Sequence, residues 1–261
     1  SLQDNNLYYG VAYVKNPSIN ISGFERKIFF DISGESGNKS IVNFPLGTSK
    51  DIQERQFIQF IEKDTSQVPN FALNYLKKDP IEVIMEINLK VKDNTKINII
   101  FDERIGDVIK TTGKGDIRID YNSKDNLSLF GDYYITKGDY LFTFQNLINK
   151  KFKIKQGSSI NWNGNPYKGQ LDIMAAYNLR SSLGAVIQNT TDEALAKRRI
   201  PVECIIKITE NLYNPNIAFD IDLPTLNEIN ELKIQFKSIV LNNPETANLF
   251  SWIVAIVVDS G

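Results

Sequence analysis

Residues 81–92 read IEVIMEINLKVK and residues 97–101 read INIIF, and the alternation in these stretches decides the fold class. Apolar residues occupy every odd position from 81 to 91, while charged or amide residues occupy most of the even positions. Successive side chains of a β-strand point to opposite faces. The pattern therefore predicts a strand with one apolar face and one polar face.

The same period of two recurs along most of the chain, in short stretches separated by turn residues. Examples are the apolar positions of 117–121, 140–144, 202–208 and 217–223. Gly-containing turns recur at intervals of about 8–12 residues, a spacing typical of sheets built from short strands. The sequence therefore predicts a mainly β protein, formed by a long antiparallel meander.

Helical spacing is confined to a few short segments. Apolar residues recur at three- and four-residue intervals in 51–63 and 225–237, and weaker patterns occupy 191–199 and 242–250. Residues 66–80 lack a regular alternation and are interpreted as a connecting loop. Since no stretch has the Pro, Gly and Ser content of a linker, the sequence predicts one domain over residues 1–261.

The composition excludes several classes of function. The chain has 30 Lys and Arg against 31 Asp and Glu, with no His and one Cys. Balanced charge argues against nucleic-acid binding driven by electrostatics. The lack of His removes the commonest general base and the commonest metal ligand. One Cys cannot form an internal disulfide, and its alternating position in a strand predicts that Cys204 is a buried apolar residue.

Paired carboxylates are the remaining catalytic option. Asp220 and Asp222 share one strand face, and so do Asp116 and Asp120. Each pair alternates with apolar residues of its own strand, which favours a solvated outer face over the facing carboxyls of a glycosidase. We therefore predict that the protein is not an enzyme and uses no metal or cofactor.

The long apolar face of the sheet is the feature that needs an explanation. Such a face is hidden by folding onto itself, by helices, or by an enclosed ligand. The helical segments look too few to cover it, so we expect a sheet curled around its own apolar face. Periodicity leaves open whether side chains fill the interior. The candidate groove-lining residues are Val83, Met85, Ile87, Leu89, Ile117, Ile119, Phe142, Phe144, Phe152, Ile154, Ile173, Ile206, Phe219 and Ile221.

The longest apolar run of the sequence is WIVAIVV at 252–258. It is too short to cross a bilayer, and no signal peptide is visible near the start. We expect the sequence to be a fragment or a mature form of a longer protein. A continuous apolar strand can pair with a partner's sheet edge or be buried as core. The candidate docking residues are Trp252, Ile253, Val254, Ile256 and Val258.

Two groups of motifs resemble a known family. The first comprises GDYYITKGDYLFTF at 131–144, KFKI at 151–154, GSSINWNGNPY at 157–167 and LDIMAAY at 171–177. The second comprises IPVEC at 200–204 and PNIAFDIDLP at 215–224. Their order resembles the C-terminal domain of TamB, the translocation and assembly module component, in its Bacteroidetes-type form. TamB is similar to the AsmA-like, bridge-like lipid-transfer proteins. The best match covers residues 80–225.

The resemblance implies a taco-like curled sheet with a one-sided apolar groove. It implies a periplasmic domain of a protein that is anchored in the inner membrane and reaches the outer membrane. It further implies transport of phospholipid, assembly of outer-membrane β-barrels, or both, with a BamA-type, TamA-like barrel as partner. Phospholipid acyl chains or nascent β-barrel strands would be the guests.

Two alternatives stay open at this stage. The domain could be a structural adaptor that docks on the outer-membrane barrel by strand pairing. It could also be a carbohydrate-binding β-sandwich, with Trp162 and Tyr167 forming a sugar platform beside the turn at 164–166.

Overall fold

The described strands join into one 12-stranded sheet in the computed structural model. The structure describes residues 8–46, 81–102, 104–124, 127–144, 148–182, 199–226, 230–231, 233–234 and 237–238. The strands are β1 (Tyr9–Val11), β2 (Val14–Phe24), β3 (Lys27–Ser36), β4 (Ile41–Pro45), β5 (Glu82–Asp102), β6 (Asp107–Asn122), β7 (Ser128–Phe144), β8 (Ile148–Ile154), β9 (Ser159–Gly164), β10 (Gln170–Ser182), β11 (Arg199–Asn211) and β12 (Asn214–Asp222). A turn of 3₁₀ helix, Pro166–Lys168, follows β9.

The strands from β5 to β12 form the predicted antiparallel meander, with β8 and β9 both lying between β7 and β10. The mainly β, curled fold class is confirmed. The sheet is mixed, because β3 and β4 both run parallel to β5. Strand β5 has 21 residues, which lets β3 pair with 82–90 and β4 pair with 96–100. A parallel pair needs a crossover of about a dozen residues or more, and residues 46–81 provide it.

Glycine permits the close approach of β6 to β7. A Cβ atom on Gly115 would lie 1.8 Å from the carbonyl oxygen of Asp132. Gly131 on the facing strand has a φ of +117°, a conformation that L-residues rarely adopt. These positions permit a local backbone geometry that other residues would resist.

Aromatic contacts show how far the sheet curls. The ring of Phe44 on β4 stacks on that of Trp162 on β9 with centroids 6.0 Å apart, although β5, β6 and β7 lie between these strands in the sheet. Phe142 on β7 meets Phe219 on β12 at 5.7 Å, across three intervening strands. Four strand spacings in a flat sheet would separate such residues by about 19 Å. The sheet is therefore folded back on its apolar face.

The core occupies the inside of this curl. Tyr133 on β7 donates its hydroxyl hydrogen to the carbonyl oxygen of Thr95 on β5 at 3.0 Å, which satisfies the buried phenol. Cys204 is buried as predicted, and burial raises the pKa of its thiol to about 12, so the thiolate is suppressed. The largest fully buried side chains are those of Tyr133, Tyr140, Phe152, Ile99, Ile109, Ile160, Ile173, Ile206 and Ile208.

The helical predictions fall mostly outside the described residues. This applies to 51–63, 242–250 and the predicted loop 66–80, and to 191–198 of the third segment. Arg199 begins β11, so the helix predicted over 191–199 does not extend to its last residue. Within 225–237, helical residues follow Asn230, whose carbonyl accepts the amide hydrogen of Ile234 at 3.0 Å. In the described residues no helix is long and apolar enough to cross a membrane.

A half-buried carboxyl, that of Asp107, lies at the start of β6 and gives a testable pH dependence. Burial raises the pKa of Asp107 from 3.8 to about 6, although a hydrogen bond with Tyr140 opposes the shift. The folded state therefore holds this proton more tightly than the unfolded chain does. Stability is lost as pH rises from about 4 to about 6, and the loss persists above that range.

Asp107→Asn should remove this loss while keeping an oxygen that can accept the Tyr140 hydrogen bond. At pH 7.5 we expect a gain of about 1 kcal/mol, or about 2–4 °C in Tm, after allowing for solvent screening. At pH 4 the variant and the parent should melt alike. Asp172→Asn changes an exposed carboxylate on β10 and serves as the control in thermal melts. An equal gain at both pH values would contradict this interpretation.

Candidate apolar groove

Rows of apolar side chains cross the sheet on its concave face. The central row consists of Ile32 on β3, Ile87 on β5, Ile119 on β6 and Leu129 on β7. Each of these residues is the register partner of the next one across the sheet. Residues opposite each other in neighbouring strands project to the same face. Since β2 places Ile19 beside Ile32, the row spans five strands.

Two further rows flank the central one. Phe30, Met85 and Tyr121 lie side by side on one flank. Leu89 and Ile117 lie on the other. Except for the buried Ile117, these side chains are only half-buried. The apolar surface of β3, β5 and β6 thus stays partly accessible, and we call the three rows together the groove.

The opposite face of the same strands is mostly polar, apart from the register pair Phe29–Ile84. Arg118 lies beside Phe130 on this side, with its guanidinium 4.5 Å from the ring centroid. Lys92 pairs with Glu35 at 2.7 Å, and the lysine holds the pKa of that carboxyl below its usual range. The alternation predicted from the sequence therefore separates an apolar concave face from a charged convex face.

The groove leads into a cavity of about 340 Å³. Leu89, Ile117, Ile119 and Leu129 form one wall, and the segment 8–12 forms another. This volume lies within the range of about 300–1,000 Å³ that is typical of small-molecule sites. The cavity is therefore large enough for an apolar guest.

Two lips of the curled sheet meet beside the cavity. One lip is β4, where Phe44 contacts Tyr8 at 6.4 Å and Trp162 at 6.0 Å. The other lip is β9 with the 3₁₀ turn, where Trp162 donates its indole hydrogen to the carbonyl oxygen of Pro166 at 3.0 Å. These aromatic contacts join the two lips at this end of the curled sheet.

Buried hydroxyls lie at the rim of the cavity, where the pairing of β5 with β6 is interrupted. The hydroxyls of Ser36 and Thr95 lie 2.5 Å apart, and Ser36 also accepts the amide hydrogen of Lys92 at 2.8 Å. The register of β5 against β6 shifts between Val91 and Thr95. These bonds satisfy polar groups where the ladder is interrupted.

The predicted groove residues divide into two sets. Val83, Met85, Ile87, Leu89 and Ile119 are half-buried on the concave face, and Leu89 and Ile119 also pack against the core cluster. Ile117 is buried at its margin. Phe142, Phe152, Ile173, Ile206 and Ile221 are buried core residues, and Ile154 and Phe219 pack against that core. Phe144 lies on β7, but its side chain is outside the described part of the structure, as are all candidate docking residues from Trp252 to Val258.

Sequence reasoning missed the first strands as part of the site. Tyr8, Val42 and Phe44 line the cavity, and Ile28, Phe30 and Ile32 extend the alternation of β5 on β3. The period-two pattern of KIFFDIS at 27–33 carried this signal. The place of Trp162 beside the cavity could not be predicted from a local pattern, because the curl of the sheet brings it there.

Three of the four carboxylates singled out in the sequence pair with lysines or an arginine, and the fourth, Asp116, is exposed on β6 opposite Lys90. Lys207 lies 2.9 Å from Asp220, and Lys233 lies 2.8 Å from Asp222. Burial opposes ionisation of Asp222, but the hydrogen bond from Lys233 lowers its pKa overall. Arg118 pairs with Asp120 at 3.2 Å. The described residues contain no cluster of three or more side chains of the types that hold metals.

The sugar platform considered as an alternative at Trp162 and Tyr167 does not form. Trp162 is only 2% exposed, and its ring stacks on Phe44 inside the curl. The indole therefore presents no open face to a sugar ring, and the turn at 164–166 serves the closure of the sheet.

A protein-family model described as the TamB C-terminal domain matches residues 4–255, which is nearly the whole chain. A comparison with curated proteins finds no match. The family is a non-enzymatic one of translocation and assembly, is associated with the cell envelope, and works with an outer-membrane partner. The chain belongs to the TamB C-terminal domain family and has a TamB-like role in envelope biogenesis.

Proposed function

We propose that this domain offers its groove to phospholipid acyl chains that pass between the inner and outer membranes. The domain would lie in the periplasm, within a longer protein that is anchored in the inner membrane and reaches the outer membrane. The observation that carries the proposal is the half-buried apolar surface of β3, β5 and β6, which continues into the 340 Å³ cavity.

The physics of the groove suits a guest without polar groups. Each buried methylene contributes about 0.8 kcal/mol, so a dry surface is sufficient to hold an acyl chain. Backbone donors and acceptors in the middle of a sheet are used in pairing with neighbouring strands. A guest polypeptide lying on the groove would leave its own backbone groups unsatisfied. Acyl chains therefore fit this face better than a nascent β-barrel strand does.

Photo-crosslinking tests the proposal directly. A photoreactive residue at Leu89, which is half-buried and lines the cavity, should yield phospholipid adducts in cells, detected by mass spectrometry. The matched control is Lys90, the next residue on β5, which is exposed on the convex face and should yield none. Protein adducts alone at Leu89, or equal lipid adducts at both positions, would refute a lipid groove.

The edge strand β2 favours a second candidate function, that of an adaptor for a BamA-type outer-membrane barrel. All 11 residues of β2 are exposed, and among the described strands β2 pairs with β3 alone. Pro17 and the bulge between Lys15 and Ser18 protect one half of this edge. Residues 18–24 lack such protection and can accept a further strand.

The candidate docking strand of such an adaptor is the apolar run at 252–258. Deleting 252–258 should abolish pull-down of the barrel while leaving the far-ultraviolet circular dichroism spectrum unchanged. The parent chain is the positive control. Retained pull-down by a folded deletion variant would show that docking does not depend on this segment.

A further inference from the structure

Strand β1 is the least anchored strand around the cavity. It is joined to β4 by three register pairs and by a hydrogen bond that the Asn43 side-chain amide donates to the Tyr9 carbonyl oxygen at 3.3 Å, and all three of its residues are exposed. Tyr9 and Val11 are 39% and 50% exposed. Short elements with few buried contacts open locally at low free-energy cost. Strand β1 can therefore separate from β4 while the rest of the sheet stays folded.

The residues of this segment that face the cavity are small. Gly10 lies opposite Val42, an inward residue of β4 that also pairs with the buried Ile97. All five residues of 8–12 line the cavity, but Gly10 and Ala12, which alternate with the exposed Tyr9 and Val11, have no side chain long enough to fill it. Tyr8 lies on the ring of Phe44 and fixes one end of the segment. The segment thus covers the cavity without occupying it.

Close backbone contact at Gly10 sets the closed position. A Cβ atom at this residue would lie 2.1 Å from the carbonyl oxygen of Ile41 and 2.9 Å from the Cα atom of Val42. Both are backbone atoms, which cannot turn aside as the tip of a side chain can. Any other residue at position 10 would force β1 away from β4.

We propose that residues 8–12 form a removable strap over the cavity, which closes it when β1 pairs with β4 and admits the guest when β1 leaves. This inference rests on the proposed function of the groove. Among the described strands β1 pairs only with β4, so the other strand pairings stay intact when it leaves. The wall opposite the strap is continuous with the half-buried central row, so an opened strap would connect the cavity with the groove and the solvent.

Two variants of the 261-residue chain move the strap in opposite directions. Gly10→Ala forces the strap open. A disulfide between Val11→Cys and Ile41→Cys, which are register partners, locks it closed in a Cys204→Ala background. The readouts are binding of the neutral apolar dye N-phenyl-1-naphthylamine and uptake of fluorescent phosphatidylethanolamine from liposomes. If about a tenth of the molecules are open at rest, Gly10→Ala should raise apparent affinity about tenfold.

The locked form should bind at least about tenfold less dye than the parent, and reduction should restore binding. Gly23→Ala is the matched control for Gly10→Ala, since its Cβ would meet only the Lys27 carbonyl oxygen, at 3.4 Å. The control disulfide joins Thr209→Cys to Asn216→Cys, register partners on β11 and β12. Neither control should change binding.

The outcomes separate the strap from the groove. Equal binding by the locked, reduced and parent proteins would overturn the strap and leave the groove intact. Binding of dye or lipid by the Gly10→Ala variant and by none of the other forms would support the strap. No binding of dye or lipid by any form, including a folded Gly10→Ala, would overturn both the strap and the proposed function. Circular dichroism confirms that each variant is folded.

Discussion

Replacing Ile87 by Asp should abolish lipid uptake by the groove while leaving the domain folded. Ile87 is half-buried and lies in the middle of the central apolar row, between Ile32 and Ile119. A carboxylate there keeps contact with water in the empty groove, so its cost to folding is modest. A bound acyl chain would cover it, and burying an unpaired charge is strongly unfavourable. Uptake should fall more than tenfold, which corresponds to about 1.4 kcal/mol or more.

The control is the same substitution in the filled part of the sheet. Ile206 on β11 is 0% exposed, and Ile206→Asp would place an unpaired carboxylate in the core. Such a change costs several kcal/mol, a large share of the about 5–15 kcal/mol that holds a domain together. Ile206→Asp should unfold the domain, as seen by circular dichroism and thermal melts. If Ile87→Asp unfolds it equally, position 87 is core and the groove is filled.

Replacing Trp162 by Ala should loosen the closure of the sheet. Trp162 is 2% exposed, stacks on Phe44 and donates a hydrogen bond to Pro166. Truncation of a buried Trp costs about 3–5 kcal/mol. In a chain of this size, that should lower Tm by about 10 °C. The loss should also release the lip formed by β4, so the emission of a cavity-bound apolar dye should fall.

The matched control is Tyr134→Ala, which removes an aromatic side chain that is 52% exposed on β7. Its Tm should change by less than about 2 °C, because surface substitutions cost about 0.5 kcal/mol or less. If Trp162→Ala and Tyr134→Ala melt alike, contacts other than the Phe44–Trp162 stack hold the two lips together.

The strands themselves could be predicted because their signal is local. Alternation in 81–92 describes the two faces of β5 whatever lies next to it, and the turn residues mark where strands end. The parallel pairing of β3 and β4 with β5 could not be predicted in this way. It depends on which distant segments meet, and period two is the same for parallel and antiparallel neighbours.

The candidate groove residues show the same difference between what a local pattern predicts and what contacts between distant strands decide. Ile87 and Ile221 occupy equivalent places in the sequence pattern, each apolar and each between polar neighbours. One is half-buried in the groove and the other is fully buried in the core. Their difference arises from what the curl brings opposite each of them, which no local pattern records.

The sequence alone determined that this is a β protein with one apolar and one charged face, and its motifs identified the family. These properties follow from the residues of each strand and from the fixed geometry of an extended chain. The tertiary structure was needed to show that the sheet closes through the contact of Phe44 with Trp162. It was also needed to show that side chains fill the interior over β8 to β12, while β3, β5 and β6 keep an open apolar surface. The physical reason is that burial is a property of contacts between distant strands, and the curl that makes those contacts is set by the whole sheet.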